Sequence, residues 1–208
     1  MNAQEKYNQL IENSITPFLE QQGFKKSSGI FYIDYPDFRT IIQIQKSRSN
    51  SQERISFTFN LGIFDKYIFR CINKTNLPKN LKPEDCILSK RIGRLHNDGL
   101  DKWYDLDSSI EIDNLFQKIK FDFEEFVFPW FNKVKEQNDF VNQYRTESDI
   151  YIKIKGLDLY TALHLLRLNM TKEAEQLFKS ELNKLNHNSD AQNRVKAIAR
   201  ENGIIINS

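Results

Sequence analysis

His96, Asp98, Asp101, Asp105, Asp107, Glu111 and Asp113 fall within 18 residues of one another, and such a density of carboxylate and imidazole groups could hold a divalent cation. Their spacing does not support it. Asn97-Asp98-Gly99 lacks the alternating ligands and closing glutamate of a calcium loop, and none of His96, His164 and His187 has a metal-ligating partner one helical turn away. The acids read instead as a solvated turn leading into the acid-biased start of a helix at Asp113. Covalent chemistry is no better served, because Ser89 and Cys86 sit in a strand-like stretch without a nucleophile elbow or an identifiable base. Gly62, Gly93 and Gly99 stand singly, so no glycine-rich phosphate loop is present. Neither catalytic set, metal nor cofactor is expected.

Residues that bind are easier to find. Gln43, Gln45 and Ser47 alternate along one strand pattern, and Ser56, Thr58 and Asn60 along the next. If both strands pair, these six form an uncharged hydrogen-bonding array on one sheet face. Trp103 and Tyr104, with Arg91 and Arg94, would give that face an aromatic and basic rim of the kind binding surfaces favour. Arg91 and Arg94 have opposite parity in an extended chain, so only one can join the face unless the backbone bulges.

The elements that must position these residues follow from periodicity. Residues 4–22 place Tyr7, Leu10, Ile11, Ile15, Phe18 and Leu19 at helical spacing and stop at Gly23, with a kink predicted at Pro17. From Ile30 the period becomes two. Arg54 to Ile63 is the clearest strand, with Ile55, Phe57, Phe59, Leu61 and Ile63 on one face, and residues 31–63 read as an antiparallel meander. Asn73 to Asp85 reads as a loop, 86–95 as a return to the sheet, and 102–106 as a further short strand. A wide apolar stripe, Leu115, Phe116, Ile119, Phe123, Phe126, Val127, Trp130 and Phe131, predicts a helix across the sheet, bent or broken at Pro129. Three short helices follow, with Thr171 as an N-cap, Ser189 and Gln192 as a capping box and Gly203 as a stop. The first two, around Leu163, Ala174 and Phe178, form a helical hairpin like one tetratricopeptide unit, without a second copy. The expected fold class is α+β: a meander sheet with helices on one face (1–137) and a C-terminal helical appendage (150–208).

Composition narrows the function classes. The chain has 208 residues, 28% charged and 39% hydrophobic, with a formal net charge of +2. No apolar run is long enough to cross a membrane, the N-terminus does not resemble a secretory signal, and two cysteines, Cys71 and Cys86, suit a reducing cytoplasm. The first hundred residues carry an excess of five positive charges, concentrated between Lys66 and Arg94, and the remainder an excess of three negative ones. That is a local patch and not the basic stripe of a nucleic-acid binder.

Several short motifs in order, Gly23-Phe24, Phe31, Gln45-Lys46-Ser47, Phe57-Thr58-Phe59-Asn60-Leu61-Gly62, Arg91-Ile92-Gly93 and Asp101-Lys102-Trp103-Tyr104, resemble the bacterial domain-of-unknown-function family numbered 4304 over residues 4–130. Tyr104 stands where that pattern has a second tryptophan. The resemblance implies a compact bacterial domain and no mechanism, and residues 140–208 lie outside it. The expected function is therefore a non-catalytic binding or accessory protein, with another protein as partner, acting through Gln43, Gln45, Ser47, Thr58, Asn60, Arg91, Arg94 and Trp103. The alternative is a phosphoester-handling enzyme or nucleic-acid binder using Lys46, Arg48, Arg91 and Arg94. A third reading makes the helical tail a homo-oligomer contact.

Overall fold

A computed structural model describes residues 1–73, 75–96, 99–135, 157–186 and 188–206. The boundaries drawn at 137 and 150, and Asp98 and His187, lie outside the described residues. The chain forms two compact units, one from Met1–Asp65 with Pro78–Lys133, the other from Lys66–Leu77 with Val134–Ser208. Among the described residues no helix is long and apolar enough to cross a membrane.

The first unit is built on a six-stranded antiparallel sheet: β1 (Lys25–Ser27), β2 (Ile30–Asp34), β3 (Phe38–Lys46), β4 (Arg54–Asp65), β5 (Leu88–Arg91) and β6 (Tyr104–Asp107). The fold class is α+β, with β1 to β4 forming the meander. The long strand β4 is its axis. β3 runs along one edge, from Lys46 opposite Phe57 to Phe38 opposite Asp65. β5 and β6 share the other edge in tandem, β5 against Asn60–Ile63 and β6 against Arg54–Phe57. The alternation in β4 buries Ile55, Phe57, Phe59, Leu61 and Ile63 on one face, and register adds Ile42 and Phe31.

Two helical segments cover that face. The first, α1, runs from Ala3–Gln9 through a π-helical turn, Leu10–Ile15, into Thr16–Gln21. The second, α3, runs from Ile112–Asp122 through another π-helical turn, Phe123–Val127, into Phe128–Lys135. Proline supplies no N–H and its ring collides with the carbonyl four residues back. In both helices an i→i−5 bond immediately precedes the proline: Thr16 N–H reaches Ile11 O before Pro17, and Phe128 N–H reaches Phe123 O before Pro129. The irregularity expected at Pro17 thus takes the form of a π-turn, and the same device carries the helix past Pro129 without a break. Phe18 packs edge-on to Phe116 and Phe123, and Phe123 meets Phe59 of the sheet at 4.9 Å between ring centres.

The opposite face is not uniformly wet. The loop through Leu81, Pro83 and Cys86 lies across its β4 C-terminal half, and a Cβ on Gly62 would meet Cys86 Sγ at 2.6 Å. Only glycine lets that loop seat so closely.

The second unit contains α2 (Lys66–Asn73), α4 (Leu157–Arg167), α5 (Thr171–Lys184) and α6 (Ser189–Glu201). Ala162, Leu163, Ala174 and Phe178 are fully buried in the hairpin. The caps sit one residue earlier than predicted. Met170 holds the cap position of α5 without a side-chain bond, and Asn188 caps α6, its Oδ1 accepting from the Ala191 N–H at 3.0 Å. Gly203, at φ 83°, follows the end of α6 as expected.

Candidate functional site

The tandem pairing of β5 and β6 leaves the middle of β4 facing the segment that joins them. That segment turns as a 3₁₀ helix, Ile92–Leu95, then passes back along residues 99–103. Gly93 makes the return possible: a Cβ there would lie 2.2 Å from Leu100 O and 2.4 Å from Lys102 N. With the backbones in contact, Lys102 O accepts from the Thr58 hydroxyl at 2.7 Å. Thr58 is consequently fully buried. This corrects its placement on an open binding face: the hydroxyl closes the fold and is not offered outward.

The other polar-face residues are half-buried, and two of them are tied to each other. Asn60 Nδ2 donates to Gln45 Oε1 at 2.8 Å, and Arg91 reaches the same oxygen at 3.5 Å. Arg91 Nη1 also donates to Asp101 Oδ2 at 2.5 Å, which accepts from Trp103 Nε1 at 3.3 Å, and the guanidinium lies 5.4 Å from the Trp103 ring centre. Gln45, Asn60, Arg91 and Trp103 are thus brought together. Gln43 lies opposite Asn60 in register, while Ser47 Oγ accepts from Ser49 N–H and Ser56 Oγ donates to Asp105. Arg94 lies in the 3₁₀ turn, where strand parity does not apply, and donates to Gly99 O.

Trp103 also borders an opening. A groove of about 990 Å³ runs along α3 between that helix and β6, with Trp103, Phe121 and Phe126 among its walls. Residues 111, 114, 115, 118, 121, 122 and 126 recur at helical spacing along it, so one stripe of α3 forms a whole wall. At its floor Asp122 is 2% exposed. Its Oδ2 accepts from Tyr104 Oη at 2.5 Å and from Lys102 Nζ at 2.6 Å, and its Oδ1 lies 3.5 Å from His96 Nε2. The His96 ring rests on Phe126 at 4.2 Å. Burial, and then the bond to Asp122, pushes the Tyr104 hydroxyl far above the usual phenol range, so it remains a neutral donor. A buried carboxylate held by a phenol and an ammonium ties α3 to β6 and fixes the groove's width.

Burial, with Asp85 and Glu84 alongside, raises the Cys86 thiol well above its ordinary value, which disfavours the thiolate. No group of three His, Cys, Asp or Glu side chains among the described residues could hold a metal ion. The acids near the groove have other work: Asp105 meets Ser56 and Arg54, Asp107 caps Ser109 and Ile110, and Asp113 lies in the first turn of α3. Ser56, followed by Arg54, holds Asp105 below the usual carboxylate range against an opposing contribution from burial.

The family model for the domain of unknown function DUF4304 matches residues 15–133, more than half of the chain. The chain belongs to the DUF4304 family. The DUF4304 match spans the sheet, α3 and both walls of the groove, and ends before the helical hairpin. No curated protein and no solved structure matches the chain.

Periodicity alone does not mark Phe121, Asp122 and Lys102 as site residues. Two signals were present. Asp122 is a charge inside the apolar stripe of Leu115, Ile119 and Phe123, and Phe121 is an aromatic residue standing off it.

Proposed function

We propose that the chain is a non-catalytic binding protein of the bacterial cytoplasm that engages another protein through the groove along α3, with Trp103 and Arg91 at its edge. One observation carries this reading: Phe121 is 58% exposed on the wall of a groove that also presents Trp103 and Phe126. Leaving a phenylalanine ring in water forfeits roughly 1.5–3 kcal/mol of burial, which an occupant of the groove would recover. Two free cysteines suit a reducing compartment. The polar sheet face contributes less than its sequence pattern promised, because Gln45, Asn60 and Arg91 already satisfy one another.

Three of the four cations named for the phosphoester or nucleic-acid alternative are engaged within the fold, leaving exposed Arg48. Arg91 pairs with Asp101, Arg94 with Gly99 O, and Lys46 lies 4.2 Å over the Tyr7 ring while donating to Gln4. A photo-crosslinking residue placed at Phe121 in the full chain tests the binding reading in host cells. A discrete protein adduct at 121, absent when the same residue replaces exposed Lys172 in the second unit, is the expected result. Equal adducts at both positions, or none at 121, would remove the groove as the binding surface.

A further inference from the structure

We propose that the groove takes its partner as an extended peptide segment, added as a strand along the outer edge of β6. This rests on the groove being the binding site and specifies how it is used. β6 pairs with β4 alone, so its other edge has no strand beside it among the described residues. The direction of its backbone groups follows from Ser56. Ser56 N–H donates to Asn50 Oδ1 at 2.8 Å, and Ser56 O accepts from Ser47 N–H at 2.8 Å and Asn50 Nδ2 at 3.0 Å. Both Ser56 backbone groups therefore point toward β3 and its turn, and the Ser56–Asp105 pair is a non-hydrogen-bonded one. Asp105 N–H and C=O consequently point away from β4, toward the groove that Asp105 lines.

An edge strand facing a helix across a groove is the arrangement in which an extended peptide finds backbone partners on one side and side-chain contacts on the other. Here the contacts are Phe121, Phe126 and Trp103. The charges add a polarity. Lys102 is spent on Asp122 and Asp105 on Arg54, whereas Glu111 and Lys118, both exposed, have no side-chain partner among the described residues. They lie two turns apart on α3, about 10 Å along the axis, a span of about three residues of extended chain. The fitting segment carries a basic residue near Glu111, an acidic one about three positions away near Lys118, and an apolar side chain between them.

Peptides selected from a random phage-displayed library on the full chain, and then synthesised, provide the probe. The expected result is a peptide whose affinity falls about tenfold or more on N-methylation of alternate backbone amides, with the intervening ones tolerant. In the protein, Asp105→Ala, which removes the side-chain bonds to Ser56 and Arg54 of β4, should leave affinity nearly unchanged, whereas Asp105→Pro, which removes those and the outward N–H but no backbone bond to β4, should weaken it by about tenfold. Circular dichroism and the melting temperature of Asp105→Pro establish that it is folded, and the N-methyl series decides the matter if it is not. Selected peptides that tolerate every N-methyl group, or that bind Phe121→Ala as well as the parent, overturn strand addition. So does a dimer that Asp105→Pro dissociates, since a second copy would then own the edge. If crosslinks form at 121 while no groove-dependent peptide emerges, the binding site stands and strand addition fails.

Discussion

Asp122 and Glu181 are both buried carboxylates, and their surroundings set opposite expectations. Asp122 is compensated by Tyr104 and Lys102. Tyr104→Phe removes a hydrogen bond to a charged group and should cost about 2 kcal/mol in urea denaturation, with loss of the groove's shape visible as a shift in the combined emission of Trp103 and Trp130. Glu181, on α5, is 7% exposed, and burial followed by the nearby Asp158 raises its carboxyl above the ordinary value. The folded state therefore holds this proton more tightly than the unfolded chain, so the protonated form stabilises at low pH and stability is lost as pH climbs through the raised value. Glu181→Gln should accordingly melt higher than the parent at pH 7, with the difference closing below about pH 4. A parent that is the more stable at neutral pH would contradict this. Single residues of this kind were legible only as anomalies, because a charge on an apolar stripe announces burial without naming its partner.

At the level of elements, alternation revealed β4 and its buried face directly, since a period of two admits one register of inside and outside. It did not reveal what lies over the second face. Thr58 reads as wet in the sequence and is sealed because residues 99–103 return across it, a non-local event set by how closely the backbone can approach Gly93. The prolines mislead in the same way, since local rules foresee an interruption while a π-turn absorbs it. The Gly93 contact gives a direct test. Gly93→Ala forces the 3₁₀ turn away from Leu100 and Lys102, both backbone neighbours that cannot rotate aside, and should destabilise by roughly 1–3 kcal/mol. The same displacement should loosen Lys102 from Asp122 and Thr58, so peptide or partner binding at the groove weakens along with stability. A fully stable Gly93→Ala protein would mean the close approach is not required.

At the scale of the whole molecule, neither unit is contiguous in the sequence. The first unit resumes at Pro78 after a segment, Lys66–Leu77, that belongs with the C-terminal helices. The apolar spacing shows the helical hairpin, but α2 sits in a basic stretch between a strand and a proline-containing loop, and its allegiance depends on contacts a hundred or more residues away. Tyr67 lies under the Arg167 guanidinium at 5.4 Å, Cys71 Sγ meets Asn202 Oδ1 at 3.4 Å, and Ile68 is fully buried. A chain ending after Glu147 retains α2 and removes α4 to α6, which leaves an eight-residue helix too short to persist without packing. Trypsin should then cut after Arg70, and after Lys66 as the helix frays, while fragments containing the sheet persist, because β4 and β5 remain held by the ladder on either side of the cut. In the full-length chain the Arg70 site should resist under the same conditions. Equal cleavage in both would show that α2 takes no support from the C-terminal helices. Simultaneous loss of the sheet fragments would show that the first unit depends on the second for its stability.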